Sequence, residues 1–60
     1  MNQGKKYTLK QIQEICKNFN FTPTEGIGGG RIEIAKDFDD DAFGFFTPKD
    51  GGYSFRFYKP

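Results

Sequence analysis

Ala42-Phe43-Gly44-Phe45-Phe46-Thr47-Pro48-Lys49-Asp50-Gly51-Gly52-Tyr53-Ser54-Phe55-Arg56-Phe57-Tyr58 is the stretch whose reading sets the fold. Two aromatic-rich runs, about 42–47 and 53–58, flank Pro48-Lys49-Asp50-Gly51-Gly52, where Pro and Gly supply the backbone angles of a turn. In the second run Tyr53, Phe55 and Phe57 alternate with Ser54, Arg56 and Tyr58, the period of a strand. An antiparallel hairpin follows. Upstream, Ile32 and Ile34 share one face against Arg31, Glu33 and Ala35, which predicts a third strand over about 31–36. Asp37-Phe38-Asp39-Asp40-Asp41 then reads as a turn of acidic residues that favour local hydrogen bonds over a ladder.

Working further outward, residues 22–30 read as a linker, with Pro23 and four glycines between Gly26 and Gly30. That density of glycine costs too much backbone entropy for a helix or a central strand. Before it, Thr8-x-x-Gln11 is a capping box, with Tyr7 and Ile12 at the positions of a hydrophobic staple. Leu9, Ile12, Ile15, Cys16 and Phe19 recur at helical spacing on one face. Asn18, Asn20 and Pro23 mark the stop, so the helix is expected over about 8–19. Residues 1–6 are polar and expected to fray. The expected fold is α+β in one small domain: an N-terminal amphipathic helix packed on a three-stranded antiparallel meander.

Composition narrows the function classes. The chain has 60 residues, with nine Lys+Arg against eight Asp+Glu, for a net charge of +1. That excludes a polycation that coats nucleic acid by charge alone, and equally an acidic tail. Eight Phe and three Tyr, against a single Leu and no Trp, give an aromatic core. Such rings bury 150–250 Å² each, so a few of them replace many aliphatics. One cysteine excludes an internal disulfide, and the absence of histidine excludes the usual zinc sites and His-based triads. No apolar run approaches the ~20 residues of a bilayer span. A cytoplasmic setting is expected from the lone Cys16, which reads as a small buried hydrophobe.

Three motifs invite chemistry and fail on spacing. Gly26-Ile27-Gly28-Gly29-Gly30 has a helix before it and a strand after it, the reverse of a dinucleotide loop, and lacks the P-loop Lys-Ser/Thr. Asp37-x-Asp39-x-Asp41 opens like a calcium loop, but Ala42 stands where that loop needs Gly and Pro48 where it needs a bidentate Glu. Nucleophilic catalysis would fall to Cys16, Ser54 or a Thr with no histidine to activate it. The expectation is no enzyme, no cofactor and no metal.

Phe43-Gly44-Phe45-Phe46-Thr47-Pro48-Lys49-Asp50-Gly51-Gly52 resembles the first ribonucleoprotein motif and following turn of the cold-shock domain family. There, Lys-Gly-Phe-Gly-Phe-Ile-Thr-Pro leads into an acidic, Gly-containing turn and a second aromatic strand. The resemblance covers residues 43–58. It implies a five-stranded barrel that stacks single-stranded nucleic acid on exposed aromatics. By position, Phe43 and Phe45 would stack bases, Arg56 and Tyr58 would share their surface, and Phe46, Phe55 and Phe57 would point inward. The chain has Asp41-Ala42 where the family has Lys-Gly, and a helix precedes the motif.

The residues alone leave two strand registers open. If Phe45 faces Phe55 and Phe43 faces Phe57, all four rings join the core, because opposed residues project together. If the register shifts by one, Phe45 faces Arg56, and Phe43 and Phe45 turn outward. Buried apolar area favours the first.

Two functions from different classes follow. The first is a non-enzymatic protein-binding module, an inhibitor or adaptor of the sort phages and mobile elements encode. Its contacts would be Asp39, Asp40 and Asp41 of the acidic turn with Phe43, Phe45, Arg56 and Tyr58 of the sheet. The alternative is single-stranded nucleic-acid binding, with Phe43, Phe45 and Tyr58 stacking and Arg56, Lys36, Lys49 and Lys59 on phosphates. Homo-dimerisation through an exposed last strand is a further expectation.

Overall fold

The computed structural model describes residues 2–25 and 30–58, the Glu25 side chain excepted. Strand β1 (Lys6–Tyr7) leads into α1 (Leu9–Phe19), followed by β2 (Thr22–Glu25), β3 (Ile32–Ala35), β4 (Gly44–Lys49) and β5 (Gly52–Phe57). The strands form one antiparallel sheet in the order β1-β5-β4-β3-β2. The fold is α+β, and the expected meander is present as β3-β4-β5. The sheet, however, has five strands rather than three, one added at each edge.

Both additions come from segments that read as irregular. Thr22–Glu25, expected as linker, pairs residue for residue with β3, from Thr22 opposite Ala35 to Glu25 opposite Ile32. Pro23 is tolerated there because an edge strand has one side without ladder bonds. Residues 26–29 of that expected linker lie outside the described residues. At the other edge, Lys6 and Tyr7 pair with Ser54 and Tyr53. Gly4 N donates to Phe55 O at 3.4 Å and Phe57 N to Gln3 Oε1 at 3.1 Å. The segment expected to fray thus covers β5, and Tyr7 carries it into the core at 7% exposure. The last strand is therefore interior, and a dimer through its free edge loses its premise.

The helix starts and stops where local chemistry dictates. Thr8 Oγ1 accepts from Gln11 N at 3.1 Å, and Gln11 Oε1 accepts from Thr8 N at 2.8 Å, so two orphan donors are satisfied reciprocally. Asn20 ends it in the left-handed region at φ 57°, and Phe21 N donates to Cys16 O at 2.9 Å. Ile12 and Cys16 are buried against the sheet. Leu9 and Phe19, expected on the same buried face, are exposed at its two ends.

The β4–β5 turn contains only two residues. Asp50 and Gly51 both have positive φ, 51° and 80°, and Lys49 pairs with Gly52. That is the type I′ geometry whose twist matches the strands, and Asp-Gly is a favoured sequence for it. Pro48 and Lys49, expected in the turn, belong to β4, which runs to 49 rather than 47. Tyr58 N donates to Phe43 O at 3.0 Å, so bonded steps recur at 45/56, 47/54 and 49/52. Pro48 falls at a non-bonded step, where its missing N–H disrupts nothing on β5.

This register places Phe46 opposite Phe55, their ring centroids 4.9 Å apart and both fully buried. Tyr7 meets Phe46 edge-on at 5.5 Å, and Ile12, Cys16 and Ile34 complete the core. Phe45 faces Arg56. The register that sequence-level area burial favours is therefore not the one adopted. Among the described residues, no helix is long and apolar enough to cross a membrane.

Candidate functional site

Alternation along β4 should send Phe43 to the same side as Phe45. It does not. Phe43 N donates to Ile34 O at 2.9 Å, yet the register partner of Ile34 is Gly44. Two consecutive residues thus oppose one, a bulge that re-aims the first side chain. The Phe43 ring turns to the helix side, 5.1 Å from the Phe21 ring and 6.5 Å from that of Phe57. Phe43 is thereby corrected from an outer-face stacking residue to the wall of a cleft.

That cleft, about 210 Å³, lies at the C-terminal end of α1 between Ile15, Phe19, Phe21, Phe43 and Phe57. Phe19 stacks on Phe21 at 5.6 Å and 19°, and Phe57 meets Phe55 edge-on at 4.8 Å, so the rim is continuous with the core. Phe19 is nonetheless 65% exposed and Phe57 49%. Large aromatic side chains left in water as neighbours form an apolar patch that a soluble surface ordinarily hides. Sequence reasoning assigned Phe19 to the core and Phe57 inward. Their joint exposure becomes legible only once Phe21 and the bulge at Phe43 bring four rings to one end of the sheet.

The acidic turn occupies the same end. It joins β3 to β4, and Ala35, just before it, pairs with Thr22 next to Phe21. Asp37 Oδ1 accepts from Phe38 N at 2.8 Å, and Asp40 N donates to Asp37 O at 3.0 Å, closing the turn. Asp39, Asp40 and Asp41 are exposed, as is Lys36, and Phe38 stands 78% exposed at the tip. Among the described residues no group of three or more His, Cys, Asp or Glu converges as a metal site would require.

Phe45, Arg56 and Tyr58 lie on the opposite side of the sheet. The expected partner-binding set is therefore split between two faces. On this outer face the Arg31 guanidinium sits 4.5 Å over the Phe45 ring, and Tyr58 lies 4.9 Å from it. Arg31 was missed by sequence reasoning, although its place one residue before β3 sets it beside Phe45. Further along, Thr47 pairs with Ser54, and these line an open concavity of about 420 Å³ with Gln3, Gly4, Lys49 and Arg56. Lys59, expected to hold phosphate, lies outside the described residues.

Cys16 is buried in the core, and burial pushes its thiol above the ordinary 9.0. A neutral, buried thiol is a poor nucleophile. No family model matches the chain, and comparison with curated proteins and with solved structures finds no match.

Proposed function

We propose that this chain is a small non-enzymatic protein-binding module of the inhibitor or adaptor type, acting in the cytoplasm. It docks through the aromatic cleft and the acidic turn beside it. The observation that carries the reading is the exposure of Phe19 and Phe57 around a cleft whose floor joins the core. Rigid aromatic anchors of this kind dominate binding energy when a partner covers them. The cleft is smaller than the ~300–1,000 Å³ of small-molecule sites, which favours an inserted side chain over a metabolite. Photo-crosslinking tests this. A benzophenone side chain at position 19 should give a discrete adduct in native cells that Phe57→Ser removes, while one at position 10 gives none. The same adducts from both positions would overturn the reading.

A second reading is supported by the outer face, where Phe45 and Tyr58 lie between Arg31 and Arg56 with Lys49 nearby. Rings flanked by guanidinium groups suit stacked bases and their phosphates, in line with the cold-shock resemblance. It predicts micromolar binding of oligo-dT or oligo-U that weakens with salt and with Phe45→Ala. Indifference to both oligomers eliminates it.

A further inference from the structure

The cleft has a charge environment as well as a shape, and the two select a class of partner. Four aspartates, Asp37, Asp39, Asp40 and Asp41, fall in the exposed turn that ends two residues before Phe43, a wall of the cleft. Among the described residues, Lys36 adjoins the turn, Lys17 lies between Ile15 and Phe19 in sequence, and Arg56, next to Phe57, is on the opposite side of the sheet with Phe45. We infer that the occupant is a cationic amphipathic segment of a partner protein, with one or two apolar side chains seated among Ile15, Phe19, Phe21, Phe43 and Phe57. Its Lys or Arg residues lie against the Asp37–Asp41 turn. The inference rests on the protein-binding reading above and adds the chemistry of the partner.

Shape and charge each exclude an alternative. A cleft of about 210 Å³, lined by Ile15, Phe19, Phe21, Phe43 and Phe57, takes an anchor side chain and leaves the rest of the segment outside it, toward the turn that leads into Phe43. An acidic segment would set like charges against the aspartates of that turn, which opposes docking. A second copy of this chain, docked cleft to cleft, would oppose two four-aspartate turns, so self-association at this surface is disfavoured.

The test uses three synthetic peptides of about 14 residues, four helical turns. All carry the same Leu and Phe residues. The first has them on one face with Lys elsewhere, the second has Glu in place of Lys, and the third has Lys with the apolar residues dispersed. Binding is read by fluorescence anisotropy and by amide shifts in the full chain. The first peptide should bind about tenfold more tightly than either other. It should shift the amides of Phe19, Phe21, Phe43 and Phe57. Replacing Asp39, Asp40 and Asp41 by Asn should remove most of its advantage over the Glu peptide. Phe57→Ser, at an exposed position, should weaken all binding at the cleft with the fold retained by circular dichroism. Equal binding of the Lys and Glu peptides, or shifts confined to residues 37–41, overturns the inference. If position 19 crosslinks a partner but the cationic peptide does not bind, the partner class is wrong and the docking reading stands. If neither occurs, both fall.

Discussion

Phe45 stands directly across from Arg56, one residue away from the alignment that would set it against Phe55. The two-residue turn compels this. With Asp50 and Gly51 alone outside the strands, Lys49 must meet Gly52, and counting back fixes every pair to 45/56. Turn geometry thus outranks the area that a Phe45–Phe55 pairing would bury, and little area is forfeited because Phe46 takes the place opposite Phe55. The register predicts unequal costs along one strand. Phe46→Ala or Phe55→Ala should remove about 3–5 kcal/mol. A chain of this length has on the order of 3–9 kcal/mol in total, so either variant should lose at least about a third of its stability. Phe45→Ala should cost about 1 kcal/mol, its ring being half-buried under Arg31. Urea melts followed by circular dichroism compare the three, and equal losses would contradict the assigned faces.

Gly44 gives a second check on the same packing. A Cβ built there lies below contact distance of Phe55 Cζ and 2.9 Å from the Arg56 carbonyl oxygen. The first obstacle is a fully buried ring and the second is backbone, so neither moves freely. Gly44→Ala should destabilise by about 1–3 kcal/mol through overpacking. A thermal midpoint unchanged from wild type would mean that the Phe55 ring does not lie over Gly44.

The helix and the hairpin were legible in the sequence because each is written in local chemistry. Thr8 and Gln11 specify a capping box, Asp50-Gly51 specifies a turn, and alternation over 53–58 specifies a strand. The edge strands were not, because nothing local marks them. Lys6–Tyr7 has two residues and Thr22–Glu25 contains a proline. Both exist because β5 and β3 offer unpaired backbone groups that must find partners. The candidate site was obscured for the same reason. Phe43 reads as an outward residue by parity, and only the tertiary bulge opposite Ile34 turns it toward Phe21.

Cys16 predicts a pH dependence with a definite sign. Burial raises its thiol above the ordinary 9.0, so the folded state holds the proton more tightly than the unfolded chain does. Stability from the neutral thiol is therefore complete below about pH 9 and is lost as pH rises through the folded-state value. The stability difference between wild type and Cys16→Ala should hold up to about pH 9 and shrink as pH rises beyond it, with the alanine variant correcting for lysines and tyrosines. Native protein should also react with a disulfide reagent far more slowly than the chain in guanidinium. A difference that stays constant as pH rises further, or equal reaction rates, would place Cys16 in water.

Gly51 separates conformational cost from steric cost. Its φ is 80°, and nothing lies within 4 Å of a Cβ built on it, in contrast to Gly44. Gly51→Ala should therefore cost about 1 kcal/mol from the left-handed backbone alone. The penalty has a handedness that a clash would lack. A D-alanine at 51, introduced by chemical synthesis, adopts positive φ without strain and restricts the unfolded chain as well. It should match or exceed wild-type stability, where L-alanine falls below it. If both enantiomers destabilise equally, the turn is not type I′, and the pairing of Phe45 with Arg56 loses the feature that fixes it.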